Sequence, residues 1–291
     1  MAGLRSERFA VLETGRSQPK RLFQWKKNTT GRQLARVSAI RYRETIWSEL
    51  YPGNRHTVRC LRPGIRAAEN ALELAPERRR RTVIRTDGGA GSDAQIRWLL
   101  ARGYHVMMKG TANRRAKALA RQVRRWDAFQ DSWLGEVPAP VDYGRPVRVF
   151  VKRRQKKDQI LYSYYVSTLS LPCKGHFMSL YNGRGGAEVE QFRSDKSGLQ
   201  LEVRRKHDFY AQKGYILLAD LAHNLLADFH QRALCGSRFE GYGLKRLVRD
   251  LMATPGTLVF ERGKLVRVEL LSKKQFSKEL AICLERFISG R

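Results

Sequence analysis

Two β-rich runs with a helical pattern between them, Thr82-Val-Ile-Arg-Thr-Asp-Gly-Gly-Ala-Gly91 and Tyr104-His-Val-Met-Met108, decide the fold class. The glycines at the end of the first run break the strand, and a helix can follow that is apolar at Ile96, Leu99 and Leu100. Gly103 ends this helix. The order strand, helix, strand predicts a βαβ unit with parallel strands and a right-handed crossover, and hence an α/β protein.

Asp87 is the last residue of the first run before the glycines. Open α/β sheets place their chemistry at the carboxyl ends of the strands, which favours Asp87 as a functional residue. The alternative is that Asp87 only shapes the turn, as aspartate before glycine often does. The residues of this segment leave both interpretations open.

The chain is strongly basic, because 57 Lys+Arg stand against 27 Asp+Glu in 291 residues, a net charge of +30. The charge is clustered: Arg102–Trp126 contains eight Lys/Arg and Arg145–Lys157 contains seven, and neither run contains an acidic residue. This charge excludes a typical metabolic enzyme and indicates a polyanion, nucleic acid, as the partner. An anionic membrane surface is the alternative, but the runs lack the apolar face of an interfacial helix.

The sequence contains neither an apolar run of about 18 residues, the length of a membrane span, nor an N-terminal apolar segment typical of a signal peptide. We therefore expect a cytoplasmic protein, associated with the nucleoid and without a membrane partner.

Three side chains of different chemistry recur at helical spacing in the segment Tyr181–Lys196. Tyr181, Arg184 and Glu188 are separated by three and four residues. On a helix these steps bring a phenol, a guanidinium and a carboxylate to one face. Such a face could bind a metal ion and a phosphate. The alternative is a solvated helix face that has this spacing by chance.

At this point the sequence resembles the DDE transposases of bacterial insertion sequences, in the branch whose third motif reads Y-x2-R-x3-E-x6-K. Tyr181, Arg184 and Glu188 match the motif, whereas position 195 is aspartate and the lysine follows at 196. The run Ile84–Gly91 is similar to the family's second-aspartate strand, and Ala222–Leu226 to its following core helix. The resemblance covers roughly residues 30–235 and does not include the C-terminal tail.

The resemblance implies an α/β, ribonuclease-H-like core with a β-rich insertion before the catalytic-glutamate helix. In this family two aspartates and a glutamate bind two divalent ions, Mg²⁺ or Mn²⁺, for phosphoryl transfer on DNA. Asp87 and Glu188 are then the catalytic and metal-binding residues, and Tyr181, Arg184 and Lys196 contact DNA. The implied partners are transposon ends and target DNA, bound by a homodimer.

The sequence departs from the family at the first aspartate, which is expected on a strand near the start of the core. Residues 1–86 contain no aspartate. Glu13, directly after the apolar run Phe9–Leu12, is a candidate substitute, although its longer side chain would shift the metal. We therefore expect an N-terminally truncated or decayed transposase whose first strand is lost or altered and which keeps DNA binding while losing most catalysis.

The predicted organisation has four segments. They are the N-terminal portion of the core (1–137), the β-rich insertion (138–170), the helical C-terminal portion of the core (171–235) and a C-terminal extension (236–291). Within residues 171–235, a single apolar stripe predicts a buried core helix; the stripe consists of Leu218, Leu221, Leu225 and Phe229.

Two functions are compatible with the sequence. The first is a DDE transposase that cleaves DNA and transfers strands with the help of divalent metal ions. The alternative is a basic DNA-binding protein without catalysis, either a transposase remnant or a nucleoid factor. Because the first aspartate is missing, the sequence leaves open whether the chain is an enzyme.

Overall fold

A computed structural model of the chain describes residues 8–15, 32–52, 58–183, 195, 198–199, 201, 206, 208–271 and 276–289. For residues 8–15, Arg41 and Asp87 it describes the backbone alone. The chain divides into two compact units, the first formed by Met1–Arg41 and Thr45–Val189 and the second by Tyr42–Glu44 and Glu190–Arg291.

One large sheet organises the first unit. Its strands are β1 (Arg8–Gly15), β2 (Arg32–Ala39), β3 (Glu44–Pro52), β4 (Thr82–Gly91), β5 (His105–Gly110), β6 (Asp127–Phe129), β7 (Ser132–Val137), β8 (Arg148–Lys156) and β9 (Gln159–Ser167). In the described residues the sheet has nine strands in the order β3-β2-β1-β4-β5-β9-β8-β7-β6.

The first five strands carry the predicted core. β1 is antiparallel to β2 and parallel to β4, and β4 is parallel to β5. The β4–β5 connection confirms the βαβ unit predicted from Thr82–Met108. β1 lies between β2 and β4 and carries Glu13. That the family's first strand is lost or altered stays a prediction.

Helices cover both faces of this sheet. They are α1 (Val58–Ala71), α2 (Pro76–Arg79), α3 (Asp93–Ala101), α4 (Asn113–Ala120) and α5 (Lys174–Asn182). Apolar side chains of α1, α3 and α4 form one core with β4, β5, β8 and β9, for example Ile65, Ile96, Leu119, Val106 and Val151. On the other face α5 buries Phe177, Met178 and Tyr181 against Val83, Met107, Phe150 and Tyr165.

The β-rich insertion is an antiparallel meander that extends the sheet. It begins at β6 (Asp127–Phe129), earlier than the predicted boundary at 138, and runs through β9. β9 pairs with β5, so the meander is hydrogen-bonded to the core. An unpaired edge at β5 would leave backbone donors and acceptors open, and β9 satisfies them.

The second unit is mainly helical. It contains α6 (Phe209–Phe229), α7 (Leu244–Arg246), the hairpin of β10 (Gly256–Glu261) with β11 (Lys264–Leu270), and α8 (Ser277–Ser289). Its core is formed by buried side chains that include Phe229, Leu234, Phe239, Leu247 and Leu280. Within the described residues, no helix combines the length and hydropathy that a membrane crossing requires.

The orientation predicted for α6 is wrong. Leu218, Leu221 and Leu225 are 68%, 56% and 62% exposed, and only Phe229 of the predicted stripe is buried. The buried side instead carries Gln212, Ile216, Ala219, Asp220 and His223. Apolar residues occupy most sides of this helix, so helical periodicity does not distinguish its faces. Polar contacts decide the orientation, as the bonds of His223 described below show.

Candidate active site

The pairing of β1 with β4 brings two acidic positions together. Leu12 pairs with Thr86 in the parallel ladder, and the next residues of the two strands are Glu13 and Asp87. Neighbouring strands lie about 4.8 Å apart, and positions at the same level share a face of the sheet. Residues 13 and 87 therefore directly follow the last registered pair of these two neighbouring strands.

The ladder between β4 and β5 is interrupted at Asp87. Thr86 pairs with Met108, but the next registered pair is Gly91 with Gly110. Such an irregularity re-aims the backbone and is frequent beside functional sites. Glycine is required at 91, because a Cβ there would collide with the carbonyl of Lys109. The glycine-rich sequence after Asp87 thus serves a close approach of β4 to β5. β4 continues to Gly91, whereas the sequence analysis placed the end of the strand at Asp87 in both interpretations.

Two hydrogen bonds hold the C-terminal end of α5 against β4. The hydroxyl of Tyr181 donates to the carbonyl oxygen of Thr86 at 3.0 Å, and Nη1 of Arg85 donates to the carbonyl oxygen of Leu180 at 2.8 Å. Both bonds involve neighbours of Asp87 on β4. The helix that precedes the predicted glutamate segment therefore ends beside the strand that carries Asp87.

Tyr181 lies inside the molecule, which does not fit the direct DNA contact predicted for it. Its side chain is only 4% exposed. The ring packs edge-on against Tyr165, with 4.8 Å between the ring centroids, and the hydroxyl donates its hydrogen bond to the carbonyl oxygen of Thr86. The spacing of the motif identified the residue, but helical spacing does not reveal whether a face is buried. Arg85, which ties the same helix to β4, was missed because its neighbours in the sequence give no signal for a contact so distant along the chain.

Lys109 is a second residue that sequence reasoning missed at this site. It follows Met108 on β5, and its side chain lies along Gly88: a Cβ added to Gly88 would be 3.4 Å from Cδ of Lys109. The lysine is half-buried and makes no hydrogen bond or ion pair in the described part of the chain. In the sequence, Lys109 is only one of the basic residues of Arg102–Trp126, and such a run does not indicate where a side chain lies in the fold.

Comparison with known proteins identifies the family. Residues 43–289 match the family described as transposase DDE domain group 1. The chain belongs to this DDE transposase family. The match confirms that the chain is a DDE transposase, while the assignment to a bacterial insertion-sequence branch stays a prediction. The matched range begins after β1, so Glu13 lies outside it. No curated protein sequence matches the chain.

Solved structures support the fold. The piggyBac transposase, in a synaptic complex with hairpin DNA, is 13% identical with a TM-score of 0.52 over 84% of this chain and 51% of that chain. This likeness confirms the predicted ribonuclease-H-like fold, and the chain spans about half the length of the piggyBac protein. YeaZ from Pseudomonas aeruginosa matches 58% of this chain and 72% of its own at 12% identity, with a TM-score of only 0.22.

The rest of the DDE transposase motif is only partly visible. Arg184, Glu188 and Lys196 lie outside the described residues. Asp195, which stands at the family's lysine position, is fully buried, with Oδ1 2.7 Å from Nδ1 of His223. Nε2 of the same histidine is 2.7 Å from the carbonyl oxygen of Arg43. Position 195 therefore serves the core of the second unit, which accounts for the missing lysine.

The metal ligands of a DDE transposase are carboxylates. Among the side chains that the structure describes, no group of three or more His, Cys, Asp or Glu is placed to hold a metal ion. The side chains of Glu13 and Asp87, and all of Glu188, lie outside that set. Carboxylate oxygens are the hard ligands that Mg²⁺ prefers, so the residue types at positions 13, 87 and 188 fit this ion.

Three acids of the meander form ion pairs with neighbouring basic residues. Asp127 is 2.7 Å from Nζ of Lys174, Asp131 is 2.9 Å from Nε of Arg154, and Glu136 is 2.8 Å from Nε of Arg148. The hydrogen bond from Arg148 lowers the pKa of Glu136 below its usual range. Beside these pairs lies a groove of about 680 Å³ whose lining includes Arg124, Arg125 and Lys174. The excess positive charge of the two runs is therefore not cancelled locally.

Proposed function

We propose that this chain is the catalytic part of a DNA transposase that cleaves DNA and transfers strands in a divalent-metal-dependent reaction. The observation that carries the proposal is the register of β1 with β4. Leu12 pairs with Thr86, and these two residues directly precede Glu13 and Asp87. Membership of the DDE transposase family and the ribonuclease-H-like fold support it.

Glu13 is the first acid of the proposed site. The expectation of lost catalysis depended on the missing first aspartate, and the register supplies a carboxylate on the strand next to Asp87. Glutamate has the same ligand atoms as aspartate on a side chain longer by one methylene. The longer side chain would displace the carboxylate of residue 13. The interruption of the ladder between β4 and β5 after Thr86 is the place where the backbone can adapt to this displacement.

Each residue has a defined task in this proposal. Glu13, Asp87 and Glu188 would hold the metal ions. When bound, two Mg²⁺ or Mn²⁺ ions activate the attacking hydroxyl and stabilise the leaving oxygen of the phosphodiester. Tyr181 and Arg85 hold the end of α5 against β4 and so position the segment that carries Glu188. Arg184 and Lys196 bind phosphate oxygens, for which a guanidinium offers two parallel donors.

DNA is the proposed partner, as transposon ends and as target. The net charge of +30 supports binding through phosphates, with an affinity that falls steeply as salt rises. A homodimer on DNA and association with the nucleoid belong to the same proposal.

The second candidate function is a DNA-binding remnant without catalysis. Glutamate in place of aspartate at the first acidic position favours it, because metal sites of this kind tolerate little displacement of a ligand. The two candidates agree on DNA binding and differ on metal-dependent chemistry alone.

The test is nicking and strand transfer on supercoiled plasmid DNA with Mg²⁺ or Mn²⁺. The wild type is compared with Glu13→Gln, Asp87→Asn and Glu188→Gln, and with Glu77→Gln as a matched control, since Glu77 is an exposed glutamate on α2. We expect each of the three site variants to lose activity at least about 100-fold while DNA affinity is kept, and the control to stay active.

Two results would contradict components of the proposal. If Glu13→Gln stays active while the other two variants do not, the first acid is a different residue. If the wild type binds DNA and never cuts it, the remnant is the correct function. Glu13→Asp, which restores the residue type of the family, distinguishes a displaced metal site from an absent one, because only a displaced site gains activity from it.

A further inference from the structure

Lys109 is the basic residue of β5 that lies beside the proposed acids. Thr86 pairs with Met108, so Asp87 and Lys109 are the residues that directly follow this pair on the two strands. The lysine side chain passes along Gly88, within van der Waals reach of a Cβ placed there. The Lys109 side chain therefore lies beside the segment of β4 that directly follows Asp87.

Lys152 lies on the same face of the sheet, two strands away. On β9, Tyr165 pairs with Lys109 and Ser163 pairs with Lys152. Alternate residues of a strand share a face, so both lysines lie on the face where Tyr165 meets Phe177 of α5. Like Lys109, Lys152 is half-buried and has no hydrogen bond or ion pair among the described residues.

Among the side chains that the structure describes, no acid is bonded to either lysine. Burial is the main cause that lowers the pKa of Lys152; the charge of Asp131 opposes this shift, while Arg154 and Lys109 lower the pKa further. Asp131 itself is engaged by Arg154 at 2.9 Å. Two partly buried cations near one another are stabilised by a ligand that brings negative charge between them.

We propose that Lys109, assisted by Lys152, binds a phosphate of the DNA strand that enters the proposed active site. The inference rests on the proposed function, since it assigns a substrate-binding group to the same site. The carboxylates repel the phosphodiester, and a lysine beside them offsets this repulsion at the point of reaction. Lysine acts as a point charge toward phosphate, a role that arginine can also fill.

The first measurement is lysine footprinting. The wild-type protein is acetylated with and without plasmid DNA, in EDTA so that no cleavage occurs, and each modified lysine is identified by mass spectrometry. We expect DNA to protect Lys109 and Lys152 from acetylation. Because the folded wild-type protein is used, no substitution can disturb this result.

The second measurement is the nicking rate at saturating plasmid. Lys109→Gln is expected to lower the rate at least about tenfold, equivalent to about 1.4 kcal/mol, and Lys109→Arg to restore most of it. Lys278→Gln is the matched control: it removes the same charge outside both basic runs, at an exposed position on α8. We expect it to leave the rate unchanged. Thermal unfolding of each variant checks that the fold is intact.

The outcomes separate the inference from the function on which it rests. If the wild type does not bind or cut DNA, the proposed function fails. If it binds and cuts while Lys109 stays equally reactive with DNA present, or while Lys109→Gln behaves like Lys278→Gln, the inference fails and the function stands. If the lysines are protected but the wild type never cuts, Lys109 binds DNA in a protein without catalysis, and its assignment to a reacting strand is overturned.

Discussion

The hydroxyl of Tyr181 donates a hydrogen bond to the carbonyl oxygen of Thr86, 3.0 Å away and 95 residues earlier in the chain. Thr86 precedes Asp87, and Tyr181 precedes the segment of Arg184 and Glu188. One bond thus joins two portions of the motif that sequence comparison treats as separate. Tyr181 is a positioning residue in this arrangement, because it acts through the backbone beside Asp87 and is itself buried.

Removing this hydroxyl is expected to weaken catalysis without weakening DNA binding. Tyr181→Phe loses a buried hydrogen bond, at a cost of about 0.5–1.5 kcal/mol in the free energy of unfolding, and loosens the end of α5. Nicking rate, DNA affinity and urea unfolding are the measurements. Tyr162→Phe is the control, since Tyr162 is partly buried in the same unit and its hydroxyl has no partner among the described residues. A drop in DNA affinity with an unchanged rate would instead favour a direct DNA contact by Tyr181.

Restoring the family's lysine spacing is expected to damage the protein. Asp195→Lys places a cation at a fully buried position and breaks the pair with His223, so we expect a loss of about 3–5 kcal/mol in the free energy of unfolding. Asp228→Lys, at an exposed position of α6, should cost far less. Unfolding in urea measures both variants. Tighter DNA binding by a stable Asp195→Lys protein would show that this position faces DNA.

The exposed leucines of α6 are expected to contribute little to stability. Leu221→Ala should change the free energy of unfolding by no more than about 0.5 kcal/mol, whereas Ile216→Ala, on the buried side, should cost about 2–5 kcal/mol. Both variants remove similar apolar volume from one helix, so their comparison isolates burial. Equal losses in urea unfolding would mean that the leucine face is covered in solution.

The buried Glu69 is expected to make stability depend on acid pH. Burial alone raises the pKa of Glu69, but hydrogen bonds from Arg102 and Tyr104 outweigh it, and the pKa lies below its usual value. A lowered folded-state pKa gives stability that is present above the unfolded pKa of about 4.3 and is lost as pH falls through the folded pKa.

Glu69→Gln should therefore lower the free energy of unfolding by about 1–3 kcal/mol at pH 7, and the difference from wild type should shrink toward pH 3. Urea unfolding at both pH values measures it, with the exposed Glu77→Gln as control. A difference that stays constant with pH would mean that Glu69 is not ionised in the folded protein.

Local patterns predicted the elements whose signals are local. The β4–α3–β5 unit follows from glycines and apolar spacing within Thr82–Met108. Family and fold followed from the motif of Tyr181, Arg184 and Glu188 together with the second-aspartate strand. In each case the deciding residues lie close together in the sequence.

The features that sequence reasoning missed depend on partners distant in the chain. Nothing near Glu13 indicates that the run Phe9–Leu12 pairs with a strand about 70 residues later. The buried face of α6 is set by the bonds of His223 with Asp195 and Arg43, which a helix periodicity does not contain. The position of Lys109 beside Asp87 likewise appears only once β5 is aligned with β4.

The pairing of β5 with β9 also determines where a force applied to the meander would act on the sheet. Three residue pairs, Met107–Ser167 to Lys109–Tyr165, and the bonds between Val106 and Thr168 connect the meander to the core, whereas nine pairs join β8 to β9. A pull on the meander would therefore strain this short ladder before it strains the hairpin. The ladder ends at Lys109, so bending of the meander would reach the residue beside Asp87 first.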